Sequence, residues 1–102
     1  MADKHTLEES KIIDVKQAVR LAKKYFDELY EGEDLPNVLL EEIEITEDEK
    51  LWLITFGYDT DHTVELPYDT VLGPRVRHLR DYKTVEVDAV TGELIALKIR
   101  KV

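Results

Sequence analysis

Asp59, Asp61 and His62, in the stretch D-T-D-H, are the residues best suited to chemistry, and His78 falls in the same connection. Carboxylate oxygens and imidazole nitrogens together suit a divalent ion, which needs several ligands converging at fixed distances. These four residues read in two ways: as a small-ligand or metal site that could be catalytic, or as an incidental cluster of exposed loop residues. A second cluster, R-V-R-H-L-R, puts Arg75, Arg77, His78 and Arg80 into one short run. It either supplies charge for binding a protein partner, or offsets Glu42, Glu44 and Glu86 on neighbouring strands or simply leads into the third strand. Glu42 and Glu44 share one face of a predicted strand, where paired carboxylates serve acid–base chemistry or charge an exposed edge. Nucleophilic catalysis has little to work with, because there is no cysteine and no serine or threonine has an evident histidine partner. The glycines at 32, 57, 73 and 92 are too dispersed for a phosphate-cradling loop, and no cofactor is expected.

Composition narrows the classes further. The chain has 102 residues with 43% hydrophobic content, enough for one core and too few for two. Its 14 basic and 23 acidic side chains give a net charge of -9, which repels nucleic acid and anionic lipid. Neither nucleic acid nor a membrane is therefore an expected partner. The absence of cysteine excludes disulfides and thiolate metal sites. No apolar run reaches membrane-spanning length and the first residues have no apolar export core, so a cytoplasmic location is expected.

The elements that must position these residues follow from periodicity. Residues 1–12 are polar and unpatterned and are expected to form a flexible arm, with a single domain over 13–102. Val15, Ala18, Val19, Ala22, Tyr25, Phe26 and Leu29 make one helical stripe, predicting a helix over residues 14–31. Asp14 and Gln17 match a capping box, Ile13 a hydrophobic staple, and Gly32 a C-terminal stop. Lys23 and Lys24 have Asp27 and Glu28 four residues on. After Pro36 the alternation changes to period 2. One strand places Leu39, Ile43 and Ile45 on one face and Leu40, Glu42 and Glu44 on the other. The next places Trp52, Ile54, Phe56 and Tyr58 against Leu51, Leu53 and Thr55. Opposing Ile45 to Trp52 and Ile43 to Ile54 keeps both alternations in phase.

The end of the chain has the clearest pattern. Val85 and Val87 should face Leu97 and Ile95, which leaves a three-residue connection, Val90, Thr91 and Gly92, with Gly92 left-handed. Residues 60–81, interrupted by Pro67, Gly73 and Pro74, are expected to form a long loop.

A helix followed by an antiparallel meander that ends in V-D-A-V-T-G-E-L, residues 87–94, resembles the PepSY domain and, more broadly, cystatin-like folds. The resemblance implies an inhibitor-like module that binds or restrains a peptidase, and it supplies no catalytic residues.

The expected architecture is α+β: one N-terminal helix packed on a curved four-stranded antiparallel sheet in the order α-β-β-β-β. The expected function is non-enzymatic, a protein-binding or regulatory module acting through the 60–81 segment and the helix-free sheet face. That face is expected to carry Leu40, Leu51, Leu53, Tyr82 and Leu94 as an apolar patch needing a cover. Arg75, Arg77, His78 and Arg80 would supply charge, and Tyr68, Leu51 and Leu53 anchoring contact. Two alternatives stand beside this: a ligand or metal site at Asp59, Asp61, His62 and His78, and a homodimer with no chemistry of its own.

Overall fold

A computed structural model describes residues 11–70 and 73–101, with side chains described except at 64, 66–70 and 73–78. Among the described residues the elements are one helix, α1 (Val15–Leu29), and four strands, β1 (Leu39–Ile45), β2 (Leu51–Thr70), β3 (Gly73–Asp88) and β4 (Leu94–Arg100). The strands form one open antiparallel sheet in the order β1-β2-β3-β4. The protein is thus an α+β fold with its helix first.

The helix starts where the sequence marks it. The Asp14 carboxylate accepts a hydrogen bond from the Gln17 backbone N–H at 2.8 Å, satisfying one of the helix's orphan donors. Ile13 then ties this end to the sheet: its N–H donates to the Ala89 carbonyl, and its own carbonyl accepts from the Trp52 indole at 3.1 Å. The other end closes two residues short of expectation. The Tyr30 N–H bonds the Phe26 carbonyl, and Gly32 turns the chain at φ +89°.

Ala18, Ala22 and Phe26 are buried along the predicted stripe, while Val15 and Leu29 at its ends are exposed. Small alanines let the helix backbone approach the sheet, and Phe26 fills the space beyond them. Its ring centroid lies 5.1 Å from that of Phe56 and 6.4 Å from that of Tyr58, within the range of favourable tilted aromatic contacts. Ile54, Val85 and Val87 complete the core at 0% exposure.

The predicted pairings Ile45 to Trp52, Ile43 to Ile54 and Val85 to Leu97 are all present. Two bulges correct the reading of the edge strands. In β1 the register shifts at Glu41, so Leu40 lies opposite Phe56 on the helix side and Leu39 opposite Gly57. In β4 the shift falls at Ile95, so Val87 pairs with Leu94 and Ile95 is left exposed. Each extra residue reverses every side chain beyond it, and alternation alone does not reveal where that happens.

The β3–β4 connection is also one residue longer than expected. Asp88 and Glu93 are bonded across residues 89–92, and the Gly92 N–H reaches the Asp88 carbonyl at 2.9 Å. Gly92 is left-handed as expected, at φ +81°. The extra member is Ala89, fully buried, whose N–H bonds the Lys50 carbonyl.

The largest departure is in the expected 60–81 loop, whose described residues, 60–70 and 73–81, are strand. β2 and β3 run on together as a two-stranded ribbon, paired from Thr63 opposite His78 to Thr70 opposite Gly73. The prolines that suggested a loop fit its form. The ladder is irregular between Glu65 and Asp69, where Pro67 falls, and an unflanked ribbon has an outer side where a missing N–H costs no ladder bond. A 20-residue strand at about 3.3 Å per residue spans about 66 Å, which accounts for the 70 × 28 × 19 Å dimensions. The radius of gyration is 18.4 Å, against about 13 Å for a compact chain of this length.

Candidate functional site

The ribbon leaves the body of the protein through a polar junction built on Arg80. In the ladder Arg80 stands opposite Asp59, and its guanidinium donates to the Asp59 carboxylate at 2.6 Å. The same group donates to the Glu41 carboxylate at 2.9 Å and to the Asn37 carbonyl at 3.3 Å. Asn37 completes the set, donating its side-chain amide to the other Asp59 oxygen at 2.7 Å, while the Asp59 N–H bonds the Pro36 carbonyl.

Local chain chemistry makes this convergence possible. Asn37 adopts a left-handed φ of +56°, a conformation asparagine tolerates better than most residues. The β1 bulge sits at Glu41. Gly57 leaves room for both the Glu41 carboxylate and the Tyr82 ring, since a Cβ there would lie 2.8 Å from the ring and 2.9 Å from the carboxylate. Burial works against the Arg80 charge, but the hydrogen bonds it donates to the Asp59 and Glu41 carboxylates outweigh it and hold its pKa above the ordinary arginine value.

The helix-free face is mixed where an apolar patch was expected: Leu51, Leu53 and Tyr82 lie on it among charged and hydroxyl side chains, and the β1 bulge puts Leu39 there in place of Leu40. Leu40 and Leu94 lie on the other side, and Leu51 and Leu53 are half-buried, opposite Asp88 and Glu86. Arg100 of β4 reaches across the sheet to pair with Glu42 of β1, passing 3.5 Å from the Thr55 hydroxyl. Beneath it the Thr55 and Thr84 hydroxyls are bonded at 2.8 Å, and Lys98 pairs with Glu86 at 3.3 Å. This strap of side chains helps leave Thr55 only 3% exposed on a face that no helix covers. A hollow of about 290 Å³ lies beside it, lined by Glu41, Glu42, Thr55, Tyr82 and Arg100. Another, of about 370 Å³, lies past the end of α1, where burial and then Glu33 push the Tyr30 phenol up.

The residues singled out in the sequence separate accordingly. Arg80 holds the junction together. Asp59 has both carboxylate oxygens engaged there, while Asp61 and His62 are exposed beyond it. No group of three or more potential ligands is assembled for a metal ion among the described residues. The side chains of Tyr68, Arg75, Arg77 and His78 lie outside the described residues, although their backbone belongs to the ribbon. Sequence reasoning missed Glu41 and Asn37, whose roles depend on a bulge and a left-handed residue. No helix among the described residues is long and apolar enough to cross a membrane.

Comparison with protein-family models, curated proteins and solved structures found no match.

Proposed function

We propose that the protein is a non-enzymatic binding module whose contact surface is the β2–β3 ribbon. One observation carries this reading. β1 pairs with β2 only as far as Gly57, and β4 pairs with β3 only from Tyr82 onward, so the ribbon beyond them is flanked by neither edge strand. A two-stranded ribbon is marginal in water on its own and presents backbone donors and acceptors along both sides. Such an element gains most by packing on another protein, either through strand addition or through its faces.

The junction supports the same role. Asp59, Arg80, Glu41 and Asn37 fix the ribbon's base, so less orientational freedom is lost when its outer part docks. The helix-free face, crossed by the Arg100–Glu42 pair, contributes less than the sequence suggests.

The test is site-specific photo-crosslinking in the native cell, with the reactive side chain at Thr63 in the ribbon and, for comparison, at Lys16 on the exposed helix face. The expected result is a discrete adduct from Thr63 that is absent from Lys16. Equal labelling from both positions, or none from Thr63, would remove the ribbon as the contact surface.

A further inference from the structure

We propose that copies of this chain join edge to edge, β4 of one adding to β1 of the next, so that the sheet continues from copy to copy. This surface is separate from the ribbon. Among the described residues β1 and β4 each have one neighbour in the sheet, and each leaves apolar side chains exposed: Leu39, Leu40 and Ile43 on β1, Ile95 and Ile99 on β4. Their charges are opposite. β1 carries Glu41, Glu42 and Glu44 with no base, whereas β4 carries Lys98 and Arg100 with no acid. Charge on an edge strand is a common guard against pairing. Here it guards β1 against β1 and β4 against β4, and it leaves the unlike pair open.

Register strengthens the match. With the strands antiparallel and the helices of both copies on the same side, one alignment sets Leu97 opposite Ile45, Lys98 opposite Glu44, Ile99 opposite Ile43 and Arg100 opposite Glu42. The four apolar residues lie on the helix side of the sheet and the four charged ones on the helix-free side, so apolar and opposite-charge contacts alternate along the junction. The bulges at Glu41 and Ile95 bound the matched segments. Backbone groups agree with this alignment. The Thr46 N–H bonds the Leu51 carbonyl at 3.0 Å, and bonded and non-bonded pairs alternate along an antiparallel ladder. Counted from there, Ile43 and Ile45 direct their N–H and C=O groups away from β2. Carried across the Ile54–Val85 pair, the same alternation turns those of Leu97 and Ile99 away from β3. The residues that the side chains set opposite one another are therefore those with backbone groups open to a new ladder, and a slip of one residue loses both matches. Within one chain Arg100 already reaches Glu42 across the sheet, so the junction exchanges that pair for one between adjacent strands. Because the contact is head-to-tail, it leaves a β1 edge at one end and a β4 edge at the other, and association does not stop at two. The ribbons of successive copies then leave the sheet in the same direction, about 19 Å apart at four strands of about 4.8 Å each.

Sedimentation velocity over a concentration series at fixed salt would compare the wild-type chain, a β1 variant with Glu42→Lys and Glu44→Lys, and a β4 variant with Lys98→Glu and Arg100→Glu. Trp52 fluorescence and circular dichroism would confirm that each is folded. The wild type is expected to form species larger than a dimer, and each variant alone to associate roughly a hundredfold more weakly as like charges meet. The β1 variant is less acidic than the wild type, so the general repulsion that follows from a net charge of -9 does not account for its loss. An equimolar mixture of the two variants is expected to recover the assembly, with the two kinds of chain alternating. Ile99→Pro supplies a second route that leaves charge untouched: it removes an outward N–H from an edge strand, where proline is tolerated, and is expected to abolish assembly with the fold intact. Four results would each overturn the proposal: a wild type that stays monomeric or stops at a dimer, assembly that survives either charge variant, a mixture that fails to associate, or assembly that survives Ile99→Pro.

Discussion

The two ends of the β2–β3 hairpin share one backbone ladder and differ in everything around it. At the inner end β1 and β4 flank the pair and α1 covers it, leaving Ile54, Val85 and Val87 without solvent exposure. At the outer end the same two strands continue without flanking strands. The comparison shows that a strand can extend past its core when its register is already fixed by one. The inner pairs lock the alignment through packed side chains, and the outer pairs inherit it across the Asp59–Arg80 junction, at the cost of irregularities on either side of residues 63–65. The inner end therefore supplies stability, and the outer end supplies reach.

Removing a core side chain tests the first half of that comparison most directly. Phe26→Ala takes away the ring that meets Phe56, Tyr58 and Tyr30, and it should lower unfolding free energy by about 3–5 kcal/mol in urea denaturation. A loss below about 1 kcal/mol would mean that the helix is not what organises the inner end.

At the boundary the expected effect is smaller and local. Arg80→Ala leaves the Asp59 and Glu41 carboxylates without their shared donor, and the residues are no more than about a third exposed. A loss of about 2 kcal/mol is expected, discounted little for solvent screening. Hydrogen exchange should also accelerate selectively in ribbon amides, while the amides of Ile54 and Val85 remain slow. Uniform acceleration would show that the junction stabilises the whole sheet and does not separate its two ends.

The inner end was largely legible in the sequence, and the outer end was not. The helix stripe, the Asp14 cap and the pairing of Ile43 with Ile54 follow from periodicity, because burial of one face imposes it. Alternation alone exchanges Leu39 and Leu40 between faces and pairs Val87 with Ile95 where Leu94 stands, because each bulge lies on an exposed edge where burial marks nothing. The described ribbon side chains at Asp61, His62, Thr63, Glu65 and Leu79 are exposed, so burial imposes no clean alternation on them. Pro67, Gly73 and Pro74 then gave the only strong local signal, and it pointed to a loop. Of the candidate site, Arg80 and Asp59 stood out in the sequence as charges but not as partners. Their pairing follows from register, and their third and fourth members from Glu41 and Asn37, which carry no motif.

The β3–β4 turn gives a test that depends on pH and touches only the inner end. Asp88 accepts hydrogen bonds from the Thr91 and Val90 backbone N–H groups, which hold its carboxyl below the usual aspartate range. A carboxyl lowered by folding stabilises the folded state above its unfolded pKa of about 3.9, and that contribution is lost as pH falls through the folded value. Asp88→Asn keeps an oxygen acceptor but does not titrate, so the acid limb of a stability–pH curve should become shallower. It will not vanish, because Asp48 in the β1–β2 turn is lowered in the same direction by Thr46 and by the Lys50 N–H. An unchanged slope would show that these turn bonds already form in the unfolded chain.

Shortening the ribbon should have the smallest effect on stability. Replacing residues 60–79 by Asn-Gly joins Asp59 to Arg80 through a tight two-residue hairpin turn and keeps both junction partners. Every buried side chain named for the core lies outside the replaced segment. The deleted ladder bonds are exchanged for bonds to water, at a net value of about 1 kcal/mol or less each, and the ordering entropy of the removed residues offsets them. The denaturation midpoint should therefore stay close to that of the wild type, while the denaturant slope falls slightly because less surface is exposed on unfolding. A large loss of stability would join the ribbon to the inner end as one cooperative unit, and the division of labour between the two ends would fail.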